Sequence, residues 1–344
     1  APVALDAGFD GPQAADRLAV VAKGSPQALL AFHLDPLTAF AQAGASPAAM
    51  DEHLLTAANT AARHVPAFPR ASLFLAAGRA AHEAGGSDAQ ELGFAAACAV
   101  AYLRAMEAAG LSLQQAFDGL VWGVALDAEY FAGIAKLRAL RLIAGRLARA
   151  CGVTTTTRVE ARSSRRMLAA KDPWTNMLRL TAAGFAGAVG GADAVVLDPF
   201  TQAVGRSTPF ARRQARNTQL ILMEEAHLGR VEDPARGAWA LDAHARARAE
   251  AAGLQFQAIE AEGGVLAALR AGAFADQVAA VRVQRDADLA EGRAQIVGVT
   301  KFADPEPRPA SVQPWPPRPV PDWSGDACAP LAPISLTAAF EAAQ

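Results

Sequence analysis

Long apolar runs are missing from this chain, and so is an excess of charge of either sign. No stretch of about eighteen uncharged apolar residues occurs, and the opening residues, APVALDAGFDG, lack the basic start and apolar centre of a secretory leader. Neither a membrane span nor a signal peptide is expected, so the reading is a cytoplasmic protein. Thirty-two Lys and Arg against thirty-four Asp and Glu leave a net charge of -2. That balance gives no electrostatic footprint for nucleic acid or for an anionic membrane. Cysteine is scarce: Cys98, Cys151 and Cys328 lie far apart with no C-x-x-C, which excludes a disulfide framework and points to reduced structural thiols. The six histidines form no H-x-x-x-H or equivalent pair. No metal site is expected.

What the chain has is apolar bulk and alternation. With 344 residues and 52% hydrophobic content it can bury one large core. Short β-branched and apolar runs alternate with longer helical patterns, the pattern of strand-helix units and a parallel sheet. The expected strands are Val3 to Ala7, Leu29 to Leu34, Ala71 to Ala76, Gly119 to Leu126, Thr154 to Glu160 and Ala194 to Asp198. Asp35-Pro36, Asp172-Pro173 and Asp198-Pro199 mark strand-to-helix corners, because the aspartate caps while proline keeps the preceding residue out of the helix. From Glu129 onward Tyr130, Ile134, Leu137, Ala144 and Leu147 form one apolar stripe, with Arg138, Arg141 and Arg149 largely elsewhere.

Between Asp304 and Trp323 eight prolines prevent regular structure. The expected organisation is a folded domain over 1–303, a Pro-rich linker over 304–323 and a helical tail over 324–344. One more helix is expected over 209–228, with Thr208 as its cap and Pro209 at its first position. It carries Arg216, Asn217, Thr218 and Gln219 beside the apolar Leu220 to Met223. A polar cluster in so apolar a segment predicts burial with every member bonded, tying the helix to neighbouring loops or to another subunit.

The segment FARRQARNTQLILMEEAHLGRVEDP (Phe210 to Pro234) closely resembles a signature of the adenosylcobalamin-dependent methylmalonyl-CoA mutase family. KDPWTNMLR (Lys171 to Arg179), GGADAVVLDPF (Gly190 to Phe200) and IVGVTKF (Ile296 to Phe302) extend the resemblance in order across residues 1–303. It implies an α/β fold, a TIM-type (β/α)8 barrel of which about six units are visible here. The units at Val3 to Ala7 and Leu29 to Leu34 look like the third and fourth of the family barrel. The expectation is either that the chain is a fragment of a longer polypeptide or that another segment or chain completes the sheet, since an open edge leaves backbone unpaired.

The resemblance also directs attention to the carboxyl ends of the strands, where barrel active sites are built. Catalytic relatives show a Tyr-His pair in a motif like G-Y-H-x-Q-E-A-G; here Gly78 to Gly85 reads GRAAHEAG, with Arg79 and Ala80 at those positions. In the family that histidine donates to the thioester carbonyl, which alanine cannot do. A second family motif resembles R-x-H-x-Q-T-S-G-W; here Arg158 to Arg166 reads RVEARSSRR, placing Glu160 at the histidine and Arg165-Arg166 at Gly-Trp. No catalytic residue of the family pattern is intact. The runs SSRRM and HEAGGSDAQEL (His82 to Leu92) instead look like the smaller, non-catalytic subunit of heterodimeric bacterial mutases.

His82 stands near the lost pair, as a substitute acid or as a packed helix-start histidine. Arg158, Arg162, Arg165 and Arg166 are candidates for a phosphate-bearing ligand such as coenzyme A, or for pairing with nearby acids or a partner subunit. Arg216, Asn217 and Gln219 are candidate interface residues. Cobalamin binding in the family uses a separate domain with D-x-H-x-x-G; the sequences around His53 and His244 approach that motif but lack its glycine and lie in helical patterns. The expectation is that adenosylcobalamin is carried by a partner chain or a further domain, and not by this chain alone.

The function implied is a structural small subunit of a methylmalonyl-CoA mutase-like isomerase, in a heterodimer with a larger catalytic subunit. The alternative is a catalytic acyl-CoA mutase barrel of altered acyl specificity. A cobalamin-independent barrel lyase is a third reading. It is disfavoured because Lys136 and Lys171, the internal lysines near strand ends, sit in packing motifs.

Overall fold

Six strands lie side by side in chain order, every neighbouring pair parallel: β1 (Val3–Ala4), β2 (Leu30–Leu34), β3 (Ser72–Ala77), β4 (Leu120–Leu126), β5 (Arg158–Ser163) and β6 (Ala194–Val196). The computed structural model describes residues 3–316 and 322–342, so 317–321 of the expected linker, 343–344 of the expected tail and residues 1–2 lie outside the described residues. Helix α1 (Gly11–Ala22) follows β1, and α2 (Pro36–Ala43) and α3 (Met50–His64) follow β2. After β3 come α4 (Arg79–Glu83), α5 (Asp88–Ala108) and α6 (Leu113–Asp118), after β4 comes α7 (Tyr130–Ala150), and after β5 comes α8 (Asn176–Val189). The sheet curls into a half-barrel, so that Arg162 on β5 reaches Asp6 just beyond β1.

Strand alternation sorts the core. Phe74, Ala76, Trp122, Val124, Val159 and Ala161 face the surrounding helices and join the main hydrophobic cluster. Leu75, Ala77 and Val121 form a separate small cluster on the other face. On β5 the same alternation puts Arg158, Glu160 and Arg162 on the face opposite Val159 and Ala161.

Beyond β6 the chain builds α9 (Pro209–Glu224), α10 (Trp239–Ala261), α11 (Val265–Ala271) and α12 (Ala273–Ala290). A two-stranded antiparallel ribbon joins β7 (Arg206–Ser207), just before α9, to β8 (Val312–Gln313) in the Pro-rich stretch. Helix α10 lies against α5 at a point where glycine is required: a Cβ on Gly93 would stand 2.6 Å from Gln255 Cβ and 3.0 Å from the Ala252 carbonyl oxygen. Gly93→Ala is therefore expected to destabilise by about 1–3 kcal/mol, because the backbone of α10 must give way. Urea unfolding of the variant checks this, and an unchanged midpoint would mean that α10 is free to shift.

Three expectations are corrected. The fifth strand is Arg158–Ser163 and not Thr154 to Glu160. The threonine run has the residue type of a strand, but burial decides the element: Val159, Glu160, Ala161 and Ser163 are buried, and the ladder pairs Val121 with Arg158 through Leu126 with Ser163.

Helix α9 stops at Glu224 instead of 228, where Glu224 and Glu225 stand at the negative end of its dipole. Its polar cluster is not buried either. Only Ala211 and Leu222 of α9 are buried, Arg216 is exposed, and Leu220, Ile221 and Met223 are 46%, 49% and 60% exposed.

The tail is helical only over α13 (Ala338–Ala342). Residues 322–337 run extended because their backbone bonds go to other elements. Leu331 N donates to the Ala41 carbonyl at 2.7 Å, Ile334 N to Glu83 at 2.8 Å and Leu336 N to Arg166 at 2.9 Å. Side chains pin both ends: Asp326 accepts from Met50 N at 2.7 Å, and Glu341 accepts from Ala170 N at 2.7 Å and Lys171 N at 3.0 Å.

Candidate functional site

The carboxyl ends of five strands bring together charged groups. Glu160 Oε1 accepts from Arg79 Nη1 at 3.3 Å and from Arg162 Nε at 2.8 Å, and its Oε2 lies 3.7 Å from His33 Nδ1. Arg162 continues the chain to Asp6. Beside this set Arg165 pairs with Asp198 at 3.3 Å, and Ser163 Oγ accepts from Asp198 N at 2.8 Å. The space left among Asp6, Asp35, Arg79, Glu83, Arg165 and Asp198 is a cavity of about 170 Å³. Pockets for small organic ligands run to roughly 300–1,000 Å³, so this mouth is filled by its own ion pairs.

Electrostatics follow the geometry. Burial alone would raise the Asp6 carboxyl, but the Arg162 and Arg79 guanidiniums beside it hold it below the usual range. Burial lowers His33, against the pull of the Glu160 carboxylate. Its Nδ1 is buried without a hydrogen bond, and its backbone stands at φ 44 where β2 departs from regular register. Asp35 is pushed up to about 6 by burial, although Tyr102 OH donates to it at 2.5 Å and Thr38 N at 3.1 Å.

Beneath the mouth lies a second, fully buried network. His82 Nε2 and Ser164 Oγ are 2.8 Å apart, and His82 Nδ1 is 3.3 Å from Glu91 Oε2. Serine, histidine and carboxylate thus stand in line, an order that no spacing in the chain suggested. All three residues are sealed from solvent, so no acyl group reaches Ser164. Burial, with Arg166 and Lys136 nearby, keeps His82 well below its ordinary value and hence neutral.

His82, Asp88 and Glu91 also place potential metal-ligand atoms within 4.8 Å of one another. Lys136 Nζ stands in that place, 2.8 Å from Asp88 and 2.7 Å from Glu91, and the two carboxylates raise it and hold it charged. Its ammonium already neutralises the group.

The arginine cluster expected from the sequence does not form one site. Arg162 and Arg165 are at the mouth, but Arg158 is at the opposite end of β5, donating to Ser72 Oγ at 3.0 Å. Arg166 is buried, its Nη1 donating to the Gly86 carbonyl at 2.9 Å while its backbone N donates to Glu83 at 2.9 Å. It braces the loop between β3 and α5. Ala80 is buried in α4 and has no polar side chain to offer. Arg216, Asn217 and Gln219 stay along α9, and their side chains make no hydrogen bond or ion pair among the described residues.

The motif KDPWTNMLR has a structural role. Asn176 is buried, its Nδ2 donating to the Ala169 and Phe200 carbonyls at 2.8 Å each. Arg179 Nη2 reaches the Val297 carbonyl at 2.5 Å, so this motif is tied to those at Gly190 to Phe200 and Ile296 to Phe302.

A corrin does not fit these residues. His53 lies in α3 with its Nε2 accepting from Ala48 N at 3.3 Å and its ring 4.7 Å from Phe9, while His244 is exposed in the second turn of α10. Neither stands on the strand-loop that a lower axial ligand needs, and the mouth has no room for the macrocycle.

Parallel strands, each followed by helices, with polar groups gathered at their carboxyl ends, define part of a (β/α) barrel. The family model for methylmalonyl-CoA mutase matches residues 23–320, and the chain belongs to that family. It is 45% identical over 240 residues to a methylmalonyl-CoA mutase small subunit of Streptomyces virginiae, covering 69% of this chain and 39% of that protein. A probable methylmalonyl-CoA mutase small subunit of Mycobacterium tuberculosis is 40% identical over 316 residues, 88% of this chain and 50% of that one. The small subunit of Propionibacterium freudenreichii subsp. shermanii is 35% identical over 242 residues, 69% and 38% of the two chains. The chain thus spans half or less of the length of these relatives.

Proposed function

We propose that this chain is the barrel portion of a small, non-catalytic subunit of a methylmalonyl-CoA mutase-like isomerase, working in the cytoplasm beside a larger subunit that carries adenosylcobalamin and interconverts methylmalonyl-CoA and succinyl-CoA. The observation that carries this reading is the state of Glu160. Where the family pattern has a histidine for the acyl-CoA, this side chain is buried, held by Arg79 and Arg162 and 3.7 Å from His33. A carboxylate engaged by two guanidiniums offers no donor to a thioester carbonyl, and Ala80 next to Arg79 supplies none either. The relatives, themselves small subunits by name, support the same assignment.

The open edges of the sheet support a role in assembly. Among the described residues β1 and β6 each pair on one side only, and Ala194 and Val196 of β6 are exposed, as are Leu220, Ile221 and Met223 of α9. These edges are where the two remaining strand-helix units of a family barrel belong.

The test is a native mass measurement combined with turnover. With a large subunit of the family present, a stoichiometric complex is expected that isomerises methylmalonyl-CoA. The chain alone, supplied with adenosylcobalamin, is expected to give no succinyl-CoA. Turnover by the chain alone would overturn the proposal.

A further inference from the structure

Helices α7 and α10 run together on the outside of the barrel, where Arg138 Nη1 donates to Asp242 Oδ1 at 3.0 Å. One turn further on, from Leu142 and Arg246, they border a groove of about 610 Å³. Its lining is largely apolar, with Ala96 of α5, Ile143 and Leu147 of α7, and Ala249 and Phe256 of α10. Gly253 also lines it, in the interior of α10, and no atom lies within 4 Å of where its Cβ would stand. A glycine there lowers helix stability by about 1 kcal/mol relative to alanine, yet neither crowding nor a positive φ calls for it. The missing side chain keeps the groove open. Leu142 and Leu254, 49% and 67% exposed, extend the apolar strip to its rim.

The rim is cationic. Arg146 and Arg149 on α7 and Arg246 on α10 line the groove, and their side chains make no hydrogen bond or ion pair among the described residues. The nearby Arg138, Arg141 and Arg248 are all paired with aspartates. Glu250 is the single carboxylate in the lining. The cations are spread along both banks, from Arg246 at the Leu142 end to Arg149, over about 10 Å at 1.5 Å per residue. A ligand with one anionic head would be met by cations at one end. Charges on both banks of an apolar strip complement a helix whose apolar stripe is flanked by acids.

We propose that the groove between α7 and α10 docks an acidic amphipathic helix of a partner protein, seating apolar side chains spaced i, i+4 between Arg146, Arg149 and Arg246. The test uses two fluorescein-labelled synthetic helical peptides with the same leucine stripe, one flanked by glutamates and the other by lysines, titrated with the full chain and read by anisotropy. The glutamate peptide is expected to bind saturably and the lysine peptide at least tenfold more weakly. Arg146→Glu with Arg149→Glu is expected to weaken the glutamate peptide at least tenfold and to tighten the lysine peptide. Gly253→Leu, which fills the groove, is expected to weaken both.

Equal affinity for the two peptides, no response to the charge swap, or no saturable binding below a millimolar would each overturn the proposal. So would a dimer of the free chain in sedimentation that Gly253→Leu dissociates, which would assign the groove to a second copy. Saturable binding of decanoate without binding of the glutamate peptide would assign it to a small amphiphile, and would overturn it equally.

Discussion

Replacing Lys136 with methionine is expected to lower the unfolding free energy by about 3–5 kcal/mol, the usual penalty for removing one partner of a buried ion pair. Lys136 is 3% exposed and its ammonium stands between Glu91, which is fully buried, and Asp88, while also donating to the Ala125 carbonyl at 3.0 Å. Methionine conserves much of the volume, so the loss reads the stranded charge and not a cavity. Asp88 keeps Arg248 at 2.9 Å, whereas Glu91 keeps only the Ala125 amide at 2.6 Å and the neighbouring His82. The carboxylate left unpaired is therefore Glu91. Adding Glu91→Gln to the methionine variant is expected to recover at least 1 kcal/mol, within the roughly 0.5–3 kcal/mol by which contacting residues couple. Urea midpoints of the parent, both single variants and the double variant measure this, and strict additivity would show that Lys136 acts only through packing.

That network shows where sequence reasoning stops. Its members come from α4, α5, α7 and the end of β5, and His82 and Ser164 are 82 positions apart. No local pattern links them. One signal was available: in the stripe containing Ile134 and Leu137, Lys136 falls among residues that all turn out buried, and a lysine so placed needs a carboxylate.

The strands were legible because a strand buried on both faces reads as a nearly continuous apolar run, as Leu120–Leu126 does. The fifth was misplaced by its threonines because β5 itself, RVEARS, carries three charged residues on one face, a pattern that reads as a loop until their ion pairs are known. The corner at Asp35-Pro36 was readable and proved to be a helix cap, with Thr38 N bonded to the aspartate. The exposure of Leu220, Ile221 and Met223 was not, since a sequence shows that a face is apolar but not whether anything covers it.

Asp35→Asn is expected to stabilise the protein by roughly 2 kcal/mol at pH 7 and to have little effect at pH 4. The native carboxyl is pushed up to about 6 by burial from an ordinary 3.8. Between those values the native state holds a proton that the unfolded chain has released. Stability from this group is therefore complete below the unfolded value, falls as pH rises, and is lost above the folded one. A difference of that size corresponds to roughly 3 kcal/mol, from which an imperfectly bonded amide subtracts. Asparagine caps a helix as well as aspartate does, and its oxygen can still accept from Thr38 N and Tyr102 OH, while its amide faces the mouth cavity that Asp35 lines. His33 and His82 act with the opposite sign: burial lowers both, so the unfolded chain protonates first and stability drains as pH falls below their ordinary 6.5. Both histidines are common to parent and variant, so the difference between two urea series across pH 4 to 7 isolates Asp35. A difference that does not change with pH would show that the Asp35 carboxyl does not titrate between pH 4 and 7.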